Sequence, residues 1–384
     1  MTVEFMPADP LGIGIELEFQ LLDAKTLDLV DGILPLLELC PESSYVKPEF
    51  IQNTVEIATR VCYSLAQLDS HVHSLVSELD ARCRRLGMRL CGAGTHPFGK
   101  RLALITPQPR YRLMEKADAY LSHTQITFAE HVHIGMRSGE EAIRLMRELK
   151  AYLPLLMAVS ASSPFWRGYD TRYVSYRQRI LAASRSYGIP PSFSDWQAFT
   201  DFLDTTFHAG IFQTVRDIHW DIRPQPRLGT LEIRVMDMQP TVGEAIILAG
   251  LVRTLVTYLR NTPPWARPPG LPQPLPWYLE KHNHYQVSRL GLAAPVISTA
   301  RGDLKPLRQV FRETIETLRT TAADLEQSAC LEQLCQTVSQ GVSYARQRAV
   351  YQATHSLRAV TAALVSELEH ELAAGNGRMP CSSG

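Results

Sequence analysis

The sequence predicts an α+β fold, a single domain over residues 1–374 that mixes sheet and helix without regular βαβ units. Segments with the two-residue alternation of a strand occur singly, and helical segments of varied length separate them. No glycine-rich phosphate loop follows these strands, so neither a Rossmann unit nor a P-loop fits, and no internal repeat is visible. With 384 residues, 45% of them hydrophobic and 20% charged, the chain has enough apolar material for a sizeable core.

Gly12 to Leu22 reads GIGIELEFQLL. Ile13, Ile15, Leu17 and Phe19 alternate with Gly14, Glu16, Glu18 and Gln20, which predicts a strand with one apolar face and one face carrying two carboxylates. A second strand is expected through Val55 to Thr59. Ser64 to Leu86 places Leu65, Leu68, Val72, Leu75 and Leu79 at helical spacing and stops at Gly87, the pattern of an amphipathic helix. Met88 to Thr95 reads as a short strand closed by glycines, followed by a proline-punctuated loop and a polar helix around Met114 to Leu121. TFAEHVHIGM is a further strand, and Glu140 to Ser162 is one long, strongly apolar helix.

Aromatic and arginine-rich turns fill Ser163 to Ser192, ahead of a helix near Trp196 to Phe207. Asp217 to Arg227 is extended and proline-limited, GTLEIRVMD returns to strand alternation, and Val242 to Tyr258 is an apolar helix. The proline-rich stretch Thr262 to Pro276 reads as a surface loop within one domain, because helices flank it with no shift in composition. The remainder is helical, and residues 375–384, GNGRMPCSSG, form a disordered tail.

Lys plus Arg equals Asp plus Glu at 39 each, so a net charge of zero leaves no electrostatic footprint for nucleic acid or an anionic membrane, and small molecules are the expected partners. Cys40, Cys62, Cys83, Cys91, Cys330, Cys335 and Cys381 are scattered without a CxxC pair, which argues against a disulfide framework or zinc knuckle and for a reducing, cytoplasmic setting. MTVEFMPADP carries acids and prolines where a secretory signal has a basic region and an apolar run. No uninterrupted apolar stretch reaches membrane-spanning length, so neither export nor membrane insertion is expected.

Three motifs carry chemistry. Glu16 and Glu18, two apart on a strand, share a face with their carboxylates about 7 Å apart, a spacing that suits two adjacent hard cations. His131 and His133 share a face in the same way. Glu232 and Arg234 place a carboxylate for a metal beside a guanidinium for a phosphoryl oxygen. Taken singly, these pairs also fit a solvated face, satisfied polar histidines and a surface salt bridge. Three strands aiming polar pairs at one face of an otherwise apolar pattern are explained jointly by a shared acidic, metal-loaded floor.

GIELEF, VKPEF, NTVEIAT, GTHPF, TPQPRY, HVHIGM, SASSPFW, DTRYVSYR, GIPPSF, DIHWDIRP and GTLEIRVMD run in this order from Gly12 to Asp237, with weaker matches in HNHYQVSRLGL. In this set the chain resembles the bacterial type 2 glutamate-cysteine ligase family of carboxylate-amine ligases, which is related to glutamine synthetase. The resemblance covers most of the chain. It implies a glutamine synthetase-like curved antiparallel sheet with helices on its outer face, an active site on the concave side, and a homodimer. It also implies that Glu16, His131 and Glu232 hold one Mg²⁺, that Glu18 and Glu56, with Glu49, hold another, and that Arg234, with His133 beside it, meets ATP. Oxygen-rich ligands favour Mg²⁺ or Mn²⁺ over zinc.

The implied reaction is ATP-dependent amide formation, glutamate-cysteine ligase activity or the joining of a similar carboxylate to another amine. The carboxylate becomes an acyl phosphate, which the amine displaces; both steps concentrate negative charge that divalent ions and an arginine neutralise. Gln52, Asn53, Thr54 and the run Arg172 to Arg177 are the expected substrate contacts, since arginine grips carboxylates in a two-pronged manner. Arg177 sits in the family-like SYR. Arg172 replaces the small residue of the family's DTGY, a change that could narrow or recharge the pocket.

Glu232, Arg234 and Asp237 are the expected catalytic residues, Asp237 either accepting the amine's proton or capping its strand. His96, Arg110, His219, Trp220, Asp221 and Arg223 also fall in matched motifs and fit core or turn positions equally well. Two other classes remain open: a metal-dependent amidohydrolase that uses HxH without ATP, and a non-catalytic binding protein on the same fold. The first wants another well-placed histidine or a bridging lysine, and none stands out between His133 and His208. The second predicts losses from the floor, whose residues are all present.

Overall fold

The computed structural model describes residues 3–41 and 43–375. Its centre is a sheet of seven strands among the described residues: β1 Ile13–Asp23, β2 Val46–Pro48, β3 Thr54–Ala58, β4 Met88–Cys91, β5 Ala129–Gly135, β6 Ile222–Gln225 and β7 Thr230–Asp237. The order is β6-β7-β5-β1-β3-β2, with β4 pairing the far end of β1, and every one of these pairings is antiparallel. β1 is long enough to serve three neighbours, β5 at its start and β3 then β4 further along.

Alternation decides the two faces. Ile13, Ile15, Leu17 and Phe19 of β1 join Val55, Ile57, Val132, Ile134, Leu231 and Ile233 on a fully buried apolar face. Helices Leu65–Arg85, Gly139–Leu149, Leu153–Ser160, Val242–Asn261 and Leu357–Gly375 pack around this side of the sheet. Each of these buried aliphatic or aromatic side chains contributes ~1.5–3 kcal/mol. Val242–Asn261 does have the length and apolarity of a membrane span, contrary to the sequence expectation, but 78% of its apolar window is buried inside the protein, which makes it a core helix.

The expected helix over Glu140 to Ser162 is broken. It runs Gly139–Leu149, makes one 3-10 turn at Lys150–Tyr152, and restarts as Leu153–Ser160. Pro154, in the first turn of the restarted helix, lacks an N–H and would crowd the carbonyl four residues back in a continuous helix. The break leaves Lys150 buried, its Nζ 2.9 Å from Glu280 and donating to Ser192 Oγ at 2.8 Å. The polar helix near Met114 likewise divides at Ala119, whose φ is 49°, into Pro109–Asp118 and Tyr120–Thr124.

The helical C-terminal region contains a short hairpin, Pro295–Ile297 with Leu304–Pro306, that is too brief to show a period in sequence. Gly375, assigned to the tail, ends the last helix; residues 376–384 of the expected tail, Cys381 included, lie outside the described residues. Cys40, Cys62, Cys83, Cys91, Cys330 and Cys335 are free thiols.

The GTHPF loop is pinned by a buried histidine. Gly99 N–H donates to His96 Nδ1 at 2.8 Å, so Nε2 is the protonated nitrogen and donates to the Leu27 carbonyl at 2.9 Å. Burial holds His96 down to about 4, against 6.5 for a free ring. Between these values the unfolded chain binds a proton that the folded chain refuses. Stability is therefore intact above about pH 6.5 and falls as the pH drops towards 4, by up to ~3 kcal/mol. Urea unfolding of wild type and His96→Gln across this window should give a flatter stability–pH curve for the variant, and identical slopes would contradict the neutral, buried ring.

Candidate active site

The sheet register assembles the floor. Glu16 lies opposite His131 across β1 and β5, and Glu18 lies opposite Glu56 across β1 and β3. Glu232 lies opposite His133 on β5 and Arg223 on β6. Directly opposed residues on one face sit close enough for side-chain contact. Gly229, at φ 66° in the turn joining β6 to β7, permits the tight return that sets the Arg223–Glu232 pairing; a Cβ there would lie 2.0 Å from the Met6 carbonyl oxygen.

Two clusters result. One ligand atom from each of Glu16, His131 and Glu232 lies within 4.8 Å of the others, and the same holds for Glu18, Glu49 and Glu56. These are the two sets that the family resemblance implied for two cations. In the first, His131 Nδ1 is 3.2 Å from Glu16 Oε2 and 3.9 Å from Glu232 Oε1. Arg223 Nε and Gln225 Nε2 donate to Glu232 Oε2 at 2.7 and 2.6 Å, and Arg234 pairs with the other oxygen. His133 Nε2 lies 3.6 Å from Glu16 Oε1, and its Nδ1 pairs with Thr230 Oγ1 at 3.0 Å.

The two clusters differ in charge balance. Burial opposes ionisation of Glu16 and Glu232, but the hydrogen bond from His131 and the nearby His133 imidazole at the first, and the Arg223 and Arg234 guanidiniums beside the second, hold both well below the usual carboxylate range. Burial, reinforced by Arg234, lowers His131 to about 4 and keeps its ring neutral. In the second cluster burial and the nearby Glu49 push Glu18 up to about 8, and burial with the surrounding carboxylates raises Glu56 well above its ordinary value. Lys47, 3.9 Å from Glu56, is the cation that pairs with this cluster. The residues fit divalent cations: carboxylate-rich donor sets, a neutral imidazole, and His131 Nε2 and His133 Nε2 buried without hydrogen-bond partners.

Two cavities meet over this floor. A cleft of about 840 Å³ is lined by Glu16 and His131 of the first cluster, by all three acids of the second, and by Lys47, Arg110, Arg216 and Arg227, while Glu232 is fully buried beneath and lines neither cavity. A chamber of about 70 Å³ opens beside Glu18 and Glu49 and is lined by Thr54, Gln125, Arg177 and Arg234. Thr54 Oγ1, Gln125 Nε2 and the Nε atoms of Arg177 and Arg234 are buried there without partners, a set able to receive a polar, anionic molecule.

Of the expected substrate contacts, Thr54 and Arg177 line this chamber. Gln52 and Asn53 line neither cavity; Gln52 Nε2 donates to the Ile105 carbonyl at 3.0 Å. Arg172 is exposed in the turn after Asp170, at φ 60°, and lines neither cavity, so it does not narrow the pocket as expected. That left-handed backbone accounts for the family's small residue here, since only glycine adopts it without cost.

A bulge interrupts the pairing of β7 with β5 between Ile233 and Met236, while on the other side Arg234 N–H donates to the Asp221 carbonyl at 2.7 Å and continues the β6 register. The carbonyls freed there are taken up by Arg177 and by Gln178, whose Nε2 donates to Val235 O at 2.7 Å. Asp237, expected as a base, accepts from Ser162 N–H at 2.9 Å, Ser163 Oγ at 2.6 Å and Ser175 Oγ at 2.9 Å. Both its oxygens are occupied in holding three loop serines, and it lines neither cavity.

Gln125 and Gln225 escaped sequence reasoning because neither belongs to a periodic pattern. Arg223, left undecided, was findable: pairing IRPQ with TLEI through the Pro226–Gly229 turn puts it opposite Glu232. Asp237→Asn should cost ~1–3 kcal/mol of stability, the penalty for mispairing buried donors, while leaving the pH–rate profile of the folded enzyme in place. Lost rate at unchanged melting temperature would restore the base. Arg172→Gly should gain up to ~1 kcal/mol from relieved backbone strain with KM unchanged; a raised KM would return Arg172 to the substrate.

The sequence profile of Glutamate-cysteine ligase family 2 (GCS2) matches residues 12–363. A protein of Trichormus variabilis named "Putative glutamate--cysteine ligase 2" is 46% identical over 371 residues, covering 97% of this chain and 96% of its own. One of the same name from Thermobifida fusca is 34% identical over 374 residues, covering 96% and 93%. Among solved structures, a glutamate-cysteine ligase from Francisella tularensis in complex with AMP superposes with a TM-score of 0.67 at 13% identity, covering 100% of this chain and 91% of that one. A bifunctional glutathione synthetase from Pasteurella multocida gives 0.66 at 13% identity, covering 94% of this chain and 52% of that one. These two likenesses show a shared fold. The profile match and the sequence relatives show that the chain belongs to glutamate-cysteine ligase family 2, a family of carbon–nitrogen ligases.

Proposed function

We propose that the protein is an ATP- and Mg²⁺-dependent ligase that joins the side-chain carboxylate of glutamate to the amine of cysteine through an acyl phosphate. The observation that carries this reading is the pair of three-ligand clusters, each within 4.8 Å, on one sheet face beside Arg234, where the basic cleft meets the donor-lined chamber. Divalent ions in the clusters, Mg²⁺ or Mn²⁺, would supply positive charge to the phosphoryl oxygens.

The chain's own residues divide the remaining work. Lys47, Arg110, Arg216 and Arg227 offer the cleft's positive charge to a polyphosphate. Arg234 stands at the junction, held by Glu232, where it can meet the phosphoryl group in transfer. Arg177, Thr54 and Gln125 receive the carboxylate-bearing substrate. The substrate oxygen bonds to the terminal phosphorus as the bond to ADP breaks. The amine nitrogen then bonds to the acyl carbon, phosphate leaves with the electron pair, and the amine's proton passes to solvent.

The test is ADP release from ATP, Mg²⁺ and L-glutamate, with and without L-cysteine, with mass analysis of the product. Release that requires both amino acids and yields γ-glutamylcysteine supports the whole reading, and release that requires another amine changes only the second substrate. No ATP turnover with any amine would overturn it. Glu16→Gln and Arg234→Ala should each lower turnover at least ~100-fold, the scale of losing one electrostatic contact to a transition state, with circular dichroism unchanged. Wild-type rates in either folded variant would contradict the shared floor.

A further inference from the structure

The two cavities share Glu18, Glu49, Phe50, His131, Tyr187 and Arg234 in their linings. Tyr187 comes neither from the sheet nor from the clusters. It belongs to a short segment, Tyr187–Gly188, paired in parallel with His219–Trp220. His219 N–H donates to the Ser186 carbonyl at 3.1 Å and Asp221 N–H to the Gly188 carbonyl at 2.9 Å, while the Asp221 carbonyl takes the N–H of Arg234. The Tyr187 ring stacks on the His219 imidazole, with centroids 5.0 Å apart and 14° between planes, and Ser186 Oγ pairs with His219 Nδ1 at 3.1 Å. A bulky ring is thus held at the junction by a segment anchored on Asp221, the residue whose carbonyl also takes the Arg234 N–H.

The phenol is within electrostatic reach of Arg234, Glu18, Arg177 and Glu49, groups that line the chamber. Burial raises it above its ordinary value, so it stays protonated. Resting on the ligase reading, we infer that the Tyr187 ring walls one side of the junction where cleft meets chamber and keeps water from the acyl phosphate until the amine arrives. The competing step is simple to balance. A water oxygen bonds to the acyl carbon, the bond to phosphate breaks, and carboxylate and phosphate are released with ATP spent and no amide made. A side chain that fills the junction blocks this path, and one that does not opens it.

ADP and amide are measured in the same reaction for the full chain as wild type, Tyr187→Phe and Tyr187→Ala, with ATP, Mg²⁺, glutamate and cysteine, and oxygen label from labelled water is followed into glutamate and phosphate. Wild type and Tyr187→Phe should give equimolar ADP and amide, because the ring rather than the hydroxyl forms the wall. Tyr187→Ala should give several-fold more ADP than amide, with label in the released glutamate. If Tyr187→Ala does not fold, Tyr187→Val carries the same expectation. A folded small-residue variant whose ADP and amide fall together in equal amounts would overturn the wall, since a merely structural residue lowers both alike. A wild-type chain that makes no amide from any amine overturns the ligase reading, and the wall with it.

Discussion

The register of β1 against β5 and β3 is the constraint on which the site depends. Placing Glu16 opposite His131 and Glu18 opposite Glu56 puts acids and imidazoles on one face of the sheet while Ile13, Ile15, Leu17 and Phe19 fill the other. Because side chains alternate strictly, a slip of one residue would turn every carboxylate into the helical core and every aliphatic onto the floor. The apolar face therefore specifies the register, and the register specifies the chemistry. Gathering like charges in a half-enclosed site is costly, and the burial of the opposite face offsets that cost.

The floor is electrostatically asymmetric. The cluster around Glu232 is neutralised by fixed cations of the chain, Arg223 and Arg234, and its acids are ionised. The cluster around Glu18 and Glu56 has Lys47 at its edge and holds those two acids towards the protonated form. Two sites with similar ligands thus differ in how much a divalent cation would change them. The bulge in β7 adds a second asymmetry, since it interrupts the pairing with β5, and Arg177 and Gln178 take up the Arg234 and Val235 carbonyls there.

Much of this was legible locally. ExE, HxH and ExR each announce a shared face through a period of two, and that period survives in β1, β5 and β7 as expected. Glu56 and Glu49 came only through the family resemblance, and Glu56 meets Glu18 because β3 pairs beside β1. What stayed hidden depends on contacts between distant segments. Tyr187 reaches the junction through a two-residue pairing with His219, and Gln125 lies in the connection ahead of β5, where no pattern marks it. Asp237 looked reactive at the end of a polar strand; its saturation appears only once Ser162, Ser163 and Ser175 fold back on it. Pro154 was readable as a helix interruption, yet an apolar run on both sides of it masked the break.

We propose that one sheet face holds two adjacent divalent-cation sites of unequal character. It is tested most directly by titrating the protein with Mn²⁺ in the presence of a non-hydrolysable ATP analogue and counting bound ions by electron paramagnetic resonance. Two ions per chain with spin coupling between them, reduced to one uncoupled ion in Glu18→Gln, is the predicted result. A single ion, or two ions whose number and coupling do not change in Glu18→Gln, would contradict it.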